Sequence, residues 1–227
     1  MRAVPVAIAV IAALVLAGPA AAKPRERIVV LAPHLAELVC AVEACDDLVA
    51  VVEHTDAPPA AARLPKVGSA YSVNLEGVLA LRPTRVLAWD GGTPASTITR
   101  LRALGLTVDT IRIRDLDAIA TALETIARSI GKAEVGVKAA REYRQRLDEL
   151  RQRYRDRPRL RAFYQIDSGP AYTVNRDSPI TAALSLCGAD NVFASLPTIS
   201  AVVSAEAVLA ADPEVLVYTS FEDPRAI

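Results

Sequence analysis

Aromatic side chains are scarce in this chain: one Trp, three Phe and six Tyr among 227 residues. Cysteine is scarce too. Three cysteines cannot staple a fold of this size, so a real hydrophobic core has to stabilise it. The odd number leaves one of them unpaired. Cys40 and Cys45 stand close enough to bridge a helix end to the following turn, which leaves Cys187 without a partner. Net charge is absent: 26 Lys and Arg balance 26 Asp and Glu. That excludes an electrostatic nucleic-acid binder, which would carry a basic face. After the first residues, no apolar run is long enough to span a bilayer.

The first residues differ from the rest. Met1-Arg2 gives a positive start, Ala3 to Ala17 carries no charge, Gly18-Pro19 breaks the run, and Ala20-Ala21-Ala22 offers small residues before Lys23. Positive, apolar and small segments in this order predict a cleavable export signal over 1–22. The apolar stretch of roughly 15 residues falls short of the ~20 that a spanning helix needs. The expected location is therefore the periplasm, as a soluble chain of about 205 residues, enough for one large domain or two small ones.

Strand-like and helix-like patterns then alternate. Ile28 to Leu31, Leu48 to Val52, Arg85 to Trp89 and Thr107 to Ile113 read as strands. Helices are expected from Pro33 to a stop at Asp46-Asp47, from Asn74 to Pro83, from Thr93 to Leu104, and from Leu116 to Ile130. Glu53 to Val73, with three prolines, reads as loop. This alternation predicts a parallel α/β lobe over 23–131. From Lys132 to Asp156 charges crowd one face, and Val135, Ala139, Tyr143, Leu147 and Leu150 mark the other. A continuous helix of roughly 22 residues there would span about 33 Å. It is expected to join the first lobe to a second over 157–227. In that lobe Leu160 to Ile166 and Ala171 to Val174 are expected to pair across a turn at Asp167-Ser168-Gly169-Pro170, and Ile180 to Leu186 to form a helix closed at Gly188.

An internal repeat supports two equivalent lobes. Val73 to Pro83 aligns with Val203 to Pro213 at an offset of 130, with six of eleven positions identical. Asn74 and Ser204 stand as matching helix caps, and Glu76 and Glu206 fall in the first turn of each helix. A carboxylate there suits the helix dipole, at about 0.3–1 kcal/mol. That explains one Glu better than it explains two matching ones. Few residues follow the second copy, so the second lobe is expected to be incomplete.

Several segments together resemble a known family, the periplasmic binding proteins for cobalamin and ferric siderophores: Leu31-Ala32-Pro33 with Glu37, Thr55-Asp56 with Pro58-Pro59, Asn74-Leu75-Glu76, Leu81-Arg82-Pro83, Ala88-Trp89-Asp90-Gly91-Gly92 and Leu186-Cys187-Gly188. The resemblance runs from about Arg27 to the end. It implies two Rossmann-like α/β lobes joined by one long backbone helix, with the ligand between them. Ala-Trp-x-Gly-Gly is similar to the cobalamin-binding branch. By that likeness Trp89, His54, Tyr71, Tyr164, Gly91 and Pro33 line the ligand cleft. Glu76 and Glu206 match paired carboxylates that dock on arginines of an ABC-type import permease. Two cleft tryptophans of that branch are replaced here, by Ala70 beside Tyr71 and within Ile199-Ser200-Ala201. A related corrinoid, a ferric siderophore or haem would suit the same lobes.

The resemblance implies a monomer that carries cobalamin as cargo, with no cofactor, no resident metal and no catalysis. One rival comes from the residues themselves. His34 and His54, with Glu37 and Asp56 nearby in sequence, are the donors that a periplasmic metal-dependent hydrolase would use. Gly-x-Ser-x-Gly, His-Glu-x-x-His and a phosphate-binding Gly loop are all missing.

Overall fold

The computed structural model describes residues 25–69, 72–168 and 171–218. The export signal expected over 1–22 lies outside the described residues, as does Tyr71. The chain forms two α/β lobes and a long helix between them.

The first lobe is a four-stranded parallel sheet in the order β2-β1-β3-β4. β1 is Ile28–Val30, β2 Leu48–Ala50, β3 Arg85–Trp89 and β4 Val108–Ile111. Ile28, Val29 and Val30 are fully buried, as are Val86, Leu87 and Ala88. Burial on both faces is why these strands read as unbroken apolar runs. Each fully buried Val or Leu contributes about 1.5–3 kcal/mol, so the two central strands specify this sheet most strongly.

Helix α1 (Pro33–Ala41) starts with Pro at its first position, where a missing N–H costs nothing. It stops earlier than Asp46-Asp47. Glu43 takes φ 57° and the Ala44 N–H returns to the Val39 carbonyl, closing the last turn. Cys45–Asp47 forms a separate 3-10 turn, and Cys40 and Cys45 are joined by a disulfide across the corner. Within the expected loop, Pro59–Ala62 forms a single helical turn, α2. Then come α3 (Leu75–Ala80), α4 (Ala95–Ala103) and α5 (Leu116–Ser129).

Helix α6 runs from Ala133 to Tyr154, 22 residues. It buries Gly136, Ala140 and Leu147, with Val135, Ala139 and Tyr143 partly covered. A Cβ on Gly136 would lie 2.3 Å from the Ala127 Cβ, so glycine sets how closely α6 approaches α5. Ion pairs from Arg144 to Glu124 and from Arg151 to Asp117 also tie the two helices. Being exposed, each contributes at most about 1 kcal/mol; packing at Gly136 dominates.

The second lobe repeats the topology of the first. Its parallel sheet has the order β10-β5-β8, with β5 (Leu160–Gln165) central, β8 (Ala189–Asn191) on one side and β10 (Val215–Tyr218) on the other. β5, β8 and β10 thus take the places of β1, β2 and β3. The expected pairing of Leu160 to Ile166 with Ala171 to Val174 forms only at its turn end, where the Ile166 N–H donates to the Tyr172 carbonyl at 2.8 Å. β10 takes one edge of β5 from Ala162 to Gln165 and β8 the other only from Leu160 to Ala162, and β7 (Ala171–Val174) is not paired along β5. It pairs instead with β6 (Asp167–Ser168) and β9 (Ser200–Val202) in a small antiparallel sheet. The Thr173 hydroxyl donates to the Tyr164 carbonyl at 2.7 Å and ties this sheet to β5. Helix α7 (Pro179–Leu186) is capped by Ser178 and followed by Gly188 at φ 85°. It packs on α5 and α6, which links the lobes.

The sequence repeat is also a structural one. Asn74 accepts from the Gly77 N–H at 2.9 Å, and Ser204 accepts from the Ala207 N–H at 3.2 Å, opening α3 and α8 (Ala205–Ala211) alike. Both helices end on a residue at φ 46°, Arg82 and Asp212, each followed by Pro. At each C-terminal end, an arginine from beside the central strand donates to a free carbonyl: Arg27 to Leu81 and Arg161 to Ala211. Six- and seven-residue helices are marginal alone, so these caps hold them in place.

Candidate functional site: the switch point of the first lobe

All four strands of the first sheet point the same way, so their C-terminal ends form one edge. Connections leave β1 toward β2 on one side and pass to β3 on the other. This reversal opens a crevice outside the ends of β1 and β3, where open α/β sheets commonly take ligands. The residues there are Ala32 to His34 after β1 and Trp89 to Thr93 after β3.

The turn after β3 is closed by its own backbone. The Thr93 N–H donates to the Trp89 carbonyl at 3.0 Å, and the Trp89 N–H donates to the buried Thr93 hydroxyl at 3.1 Å. The indole of Trp89 lies across Gly92, where a Cβ would sit 1.7 Å from its Cε3. Gly91 serves the turn differently. It is exposed, takes φ 106°, and has open space where a Cβ would be. Gly92, not Gly91, makes the close contact.

His34 follows Pro33 in the first turn of α1 and packs edge-to-face on Trp89, with centroids 5.1 Å apart and planes at 87°. Its Nε2 is buried without a hydrogen-bond partner among the described residues. Burial pushes its pKa below 6.5. Between that lowered value and 6.5 the unfolded chain binds more protons than the folded one, so stability rises with pH across this window. His34 therefore makes the fold less stable as pH falls below 6.5. Urea midpoints measured between about pH 7 and 5 are expected to fall further for the wild type than for His34→Phe; parallel lines would contradict this origin.

His54 lies beyond β2, exposed, at φ 60°. It is anchored through its neighbours: the Thr55 hydroxyl donates to the Val52 carbonyl at 2.7 Å, and the Glu53 N–H to the Gly68 carbonyl at 2.8 Å. Pro33 is half-buried at the rim. Tyr164 is only 8 % exposed within β5, which leaves little of its ring for a ligand. At the C-terminal end of β10 stands Tyr218, 45 % exposed and in register with Gln165. Tyr218 offers the second lobe an aromatic edge, and nothing in its sequence context singles it out.

Glu76 and Glu206 are both exposed in the first turns of α3 and α8. The carboxyl of Glu206 is held below the ordinary value by hydrogen bonds from its own backbone N–H and from Ser204. Among the described residues, no group of three or more His, Cys, Asp or Glu side chains is placed to hold a metal ion. A cavity of about 340 Å³ lies where α5, α6 and α7 meet, beside Asp117, Arg151, Tyr154 and Arg159. It contains none of the residues expected to bind ligand.

Comparison with known proteins places this architecture. The chain is 38 % identical over 193 residues to a vitamin B12-binding protein of Vibrio cholerae serotype O1, covering 85 % of this chain and 70 % of that one. It is 36 % identical over 196 residues to a vitamin B12-binding protein of Yersinia pestis, covering 86 % and 70 %. Among solved structures, the periplasmic vitamin B12 binding protein of Vibrio cholerae superposes with a TM-score of 0.80 at 38 % identity, covering 87 % of this chain and 77 % of that one. A periplasmic haem-binding protein from Pseudomonas aeruginosa superposes at 0.78 with 27 % identity, covering 88 % and 75 %. Residues 28–223 match the family described as periplasmic binding protein. The chain therefore belongs to the periplasmic binding protein family.

Proposed function

We propose that this protein captures cobalamin, or a related corrinoid, between its two lobes in the periplasm and delivers it to an ABC-type import permease. The observation that carries the reading is Trp89, laid flat over Gly92 at the switch point of a lobe whose named relatives bind vitamin B12. A large apolar face with a few polar groups around it is what a bulky ring system needs. His54, Gly91, Pro33 and Tyr71 are proposed to complete the first lobe's side, and Tyr218, with the small exposed part of Tyr164, the facing side. The lobes are proposed to span 23–131 and 157–227, with 132–156 as strut and 1–22 as export signal. The protein acts as a monomer and converts nothing. A long, well-packed strut limits hinge closure, so free and loaded forms differ modestly.

Glu76 and Glu206 are proposed to meet permease arginines, one from each lobe. Carboxylate–guanidinium pairing gives docking both charge and direction. Haem is the competing cargo, favoured by the likeness to haem-binding structures. Isothermal titration with cobalamin, haem and a ferric siderophore separates them. Saturation by cobalamin at one equivalent, at least about a hundredfold tighter than by the others (~2.7 kcal/mol), is the expected result. Tighter binding of haem would replace the corrinoid reading. Binding of none, with turnover on a hydrolase panel, would restore the metal-dependent hydrolase built on His34 and His54.

A further inference from the structure

We infer that His34 is a positioning residue for the ligand site: its imidazole holds the Trp89 indole against Gly92, in the orientation that meets the ligand. The inference rests on the reading that Trp89 faces the cargo, and extends it to a side chain outside the cleft lining proposed above.

The Trp89 ring is confined from two directions. Gly92 supplies a floor without a Cβ, and His34 a second ring whose plane stands at 87° to the indole. His34 in turn has a fixed origin. It is the second residue of α1, behind Pro33, and its neighbours Leu35 and Ala36 are fully buried. The backbone under the imidazole therefore cannot drift. The Nε2 atom has no hydrogen-bond partner among the described residues. What holds the imidazole at that atom is packing. What remains is the contact with Trp89, where edge-to-face geometry is the preferred arrangement of two rings. β1 and β3 are adjacent strands, so this contact bridges the switch point itself.

Trp89 is the sole tryptophan in the chain, so its emission reports this site without interference. His34→Ala and His34→Phe would be compared with wild type in the purified full chain, before and after adding cyanocobalamin. His34→Ala is expected to shift Trp89 emission to the red, to raise acrylamide quenching about twofold, and to weaken cyanocobalamin binding about tenfold. His34→Phe, which keeps a flat ring, is expected to restore emission and to bring affinity within about twofold of wild type. A purely structural role would lower the unfolding midpoint and leave the folded-state emission alone. If His34→Ala does not fold, His34→Leu, which fills the space without a ring, replaces it in the comparison. Unchanged emission in the ring-less variant, or failure of His34→Phe to restore it, would overturn the inference. Should emission respond as expected while wild type ignores cyanocobalamin, the positioning role stands and the corrinoid reading falls.

Discussion

The double substitution Glu76→Ala, Glu206→Ala is expected to abolish import while leaving the affinity for cobalamin unchanged. Both carboxylates are exposed in the first turns of short helices and belong to neither the turn after β3 nor the start of α1, where the cargo is proposed to sit. Each helix is held at both ends, by Asn74 or Ser204 at the start and by Arg27 or Arg161 at the last free carbonyl. That fixes where each carboxylate projects. Hydrogen bonds from its own backbone N–H and from Ser204 hold the Glu206 carboxyl below its ordinary pKa. Truncating one partner of a hydrogen-bonded charge pair costs about 2 kcal/mol or more, roughly thirtyfold. Two independent losses amount to about a thousandfold in docking. Uptake into proteoliposomes carrying the cognate permease would measure the first half of this prediction, and titration calorimetry the second. Normal uptake by the double variant would remove these residues from docking. Lost cobalamin affinity would place them at the wrong site.

Gly92→Ala is the second large effect. The added methyl would lie 1.7 Å from Cε3 and 2.2 Å from Cζ3 of Trp89, far inside contact distance. The turn is closed by two hydrogen bonds to Thr93 and cannot open cheaply. The indole has to leave. Gly92 does not take a positive φ, so alanine strains no backbone and the effect isolates the ring. Losing a central aromatic contact costs at least about 2 kcal/mol, so cobalamin affinity is expected to fall roughly thirtyfold or more. Trp89→Ala should fall as far, and the double variant no further, because both changes remove one interaction. Additive losses would show that Gly92 acts through something other than Trp89.

Much of this architecture is legible in the sequence. Unbroken apolar runs betray the central strands of the first lobe, and the repeat at 130 residues predicts two lobes with matching caps. The hidden parts have specific physical causes. Arg82 and Asp212 share a left-handed backbone, yet nothing in an arginine announces that conformation. The expected hairpin of Leu160 to Ile166 with Ala171 to Val174 is confined to its turn end at Ile166 and Tyr172, while β5 itself pairs with β8 and β10. Those two strands lie 24 residues or more beyond the end of β5. Adjacent glycines mark the turn after Trp89, but only coordinates show that Gly91 supplies the φ and Gly92 the close approach. His34 and Trp89 stand 55 positions apart in the chain and meet only because β1 and β3 are neighbours. From the sequence they belong to rival readings, one to a hydrolase and one to a binding cleft.

We propose that a corrinoid rests on the Trp89 face between the lobes. The emission of this single tryptophan, followed as cobalamin is added to the wild-type protein, tests it most directly. Quenching is expected to saturate at one equivalent of cobalamin and not to be reproduced by haem or a ferric siderophore. Emission that stays constant through a full equivalent of cobalamin, or that haem quenches at lower concentration, would contradict it.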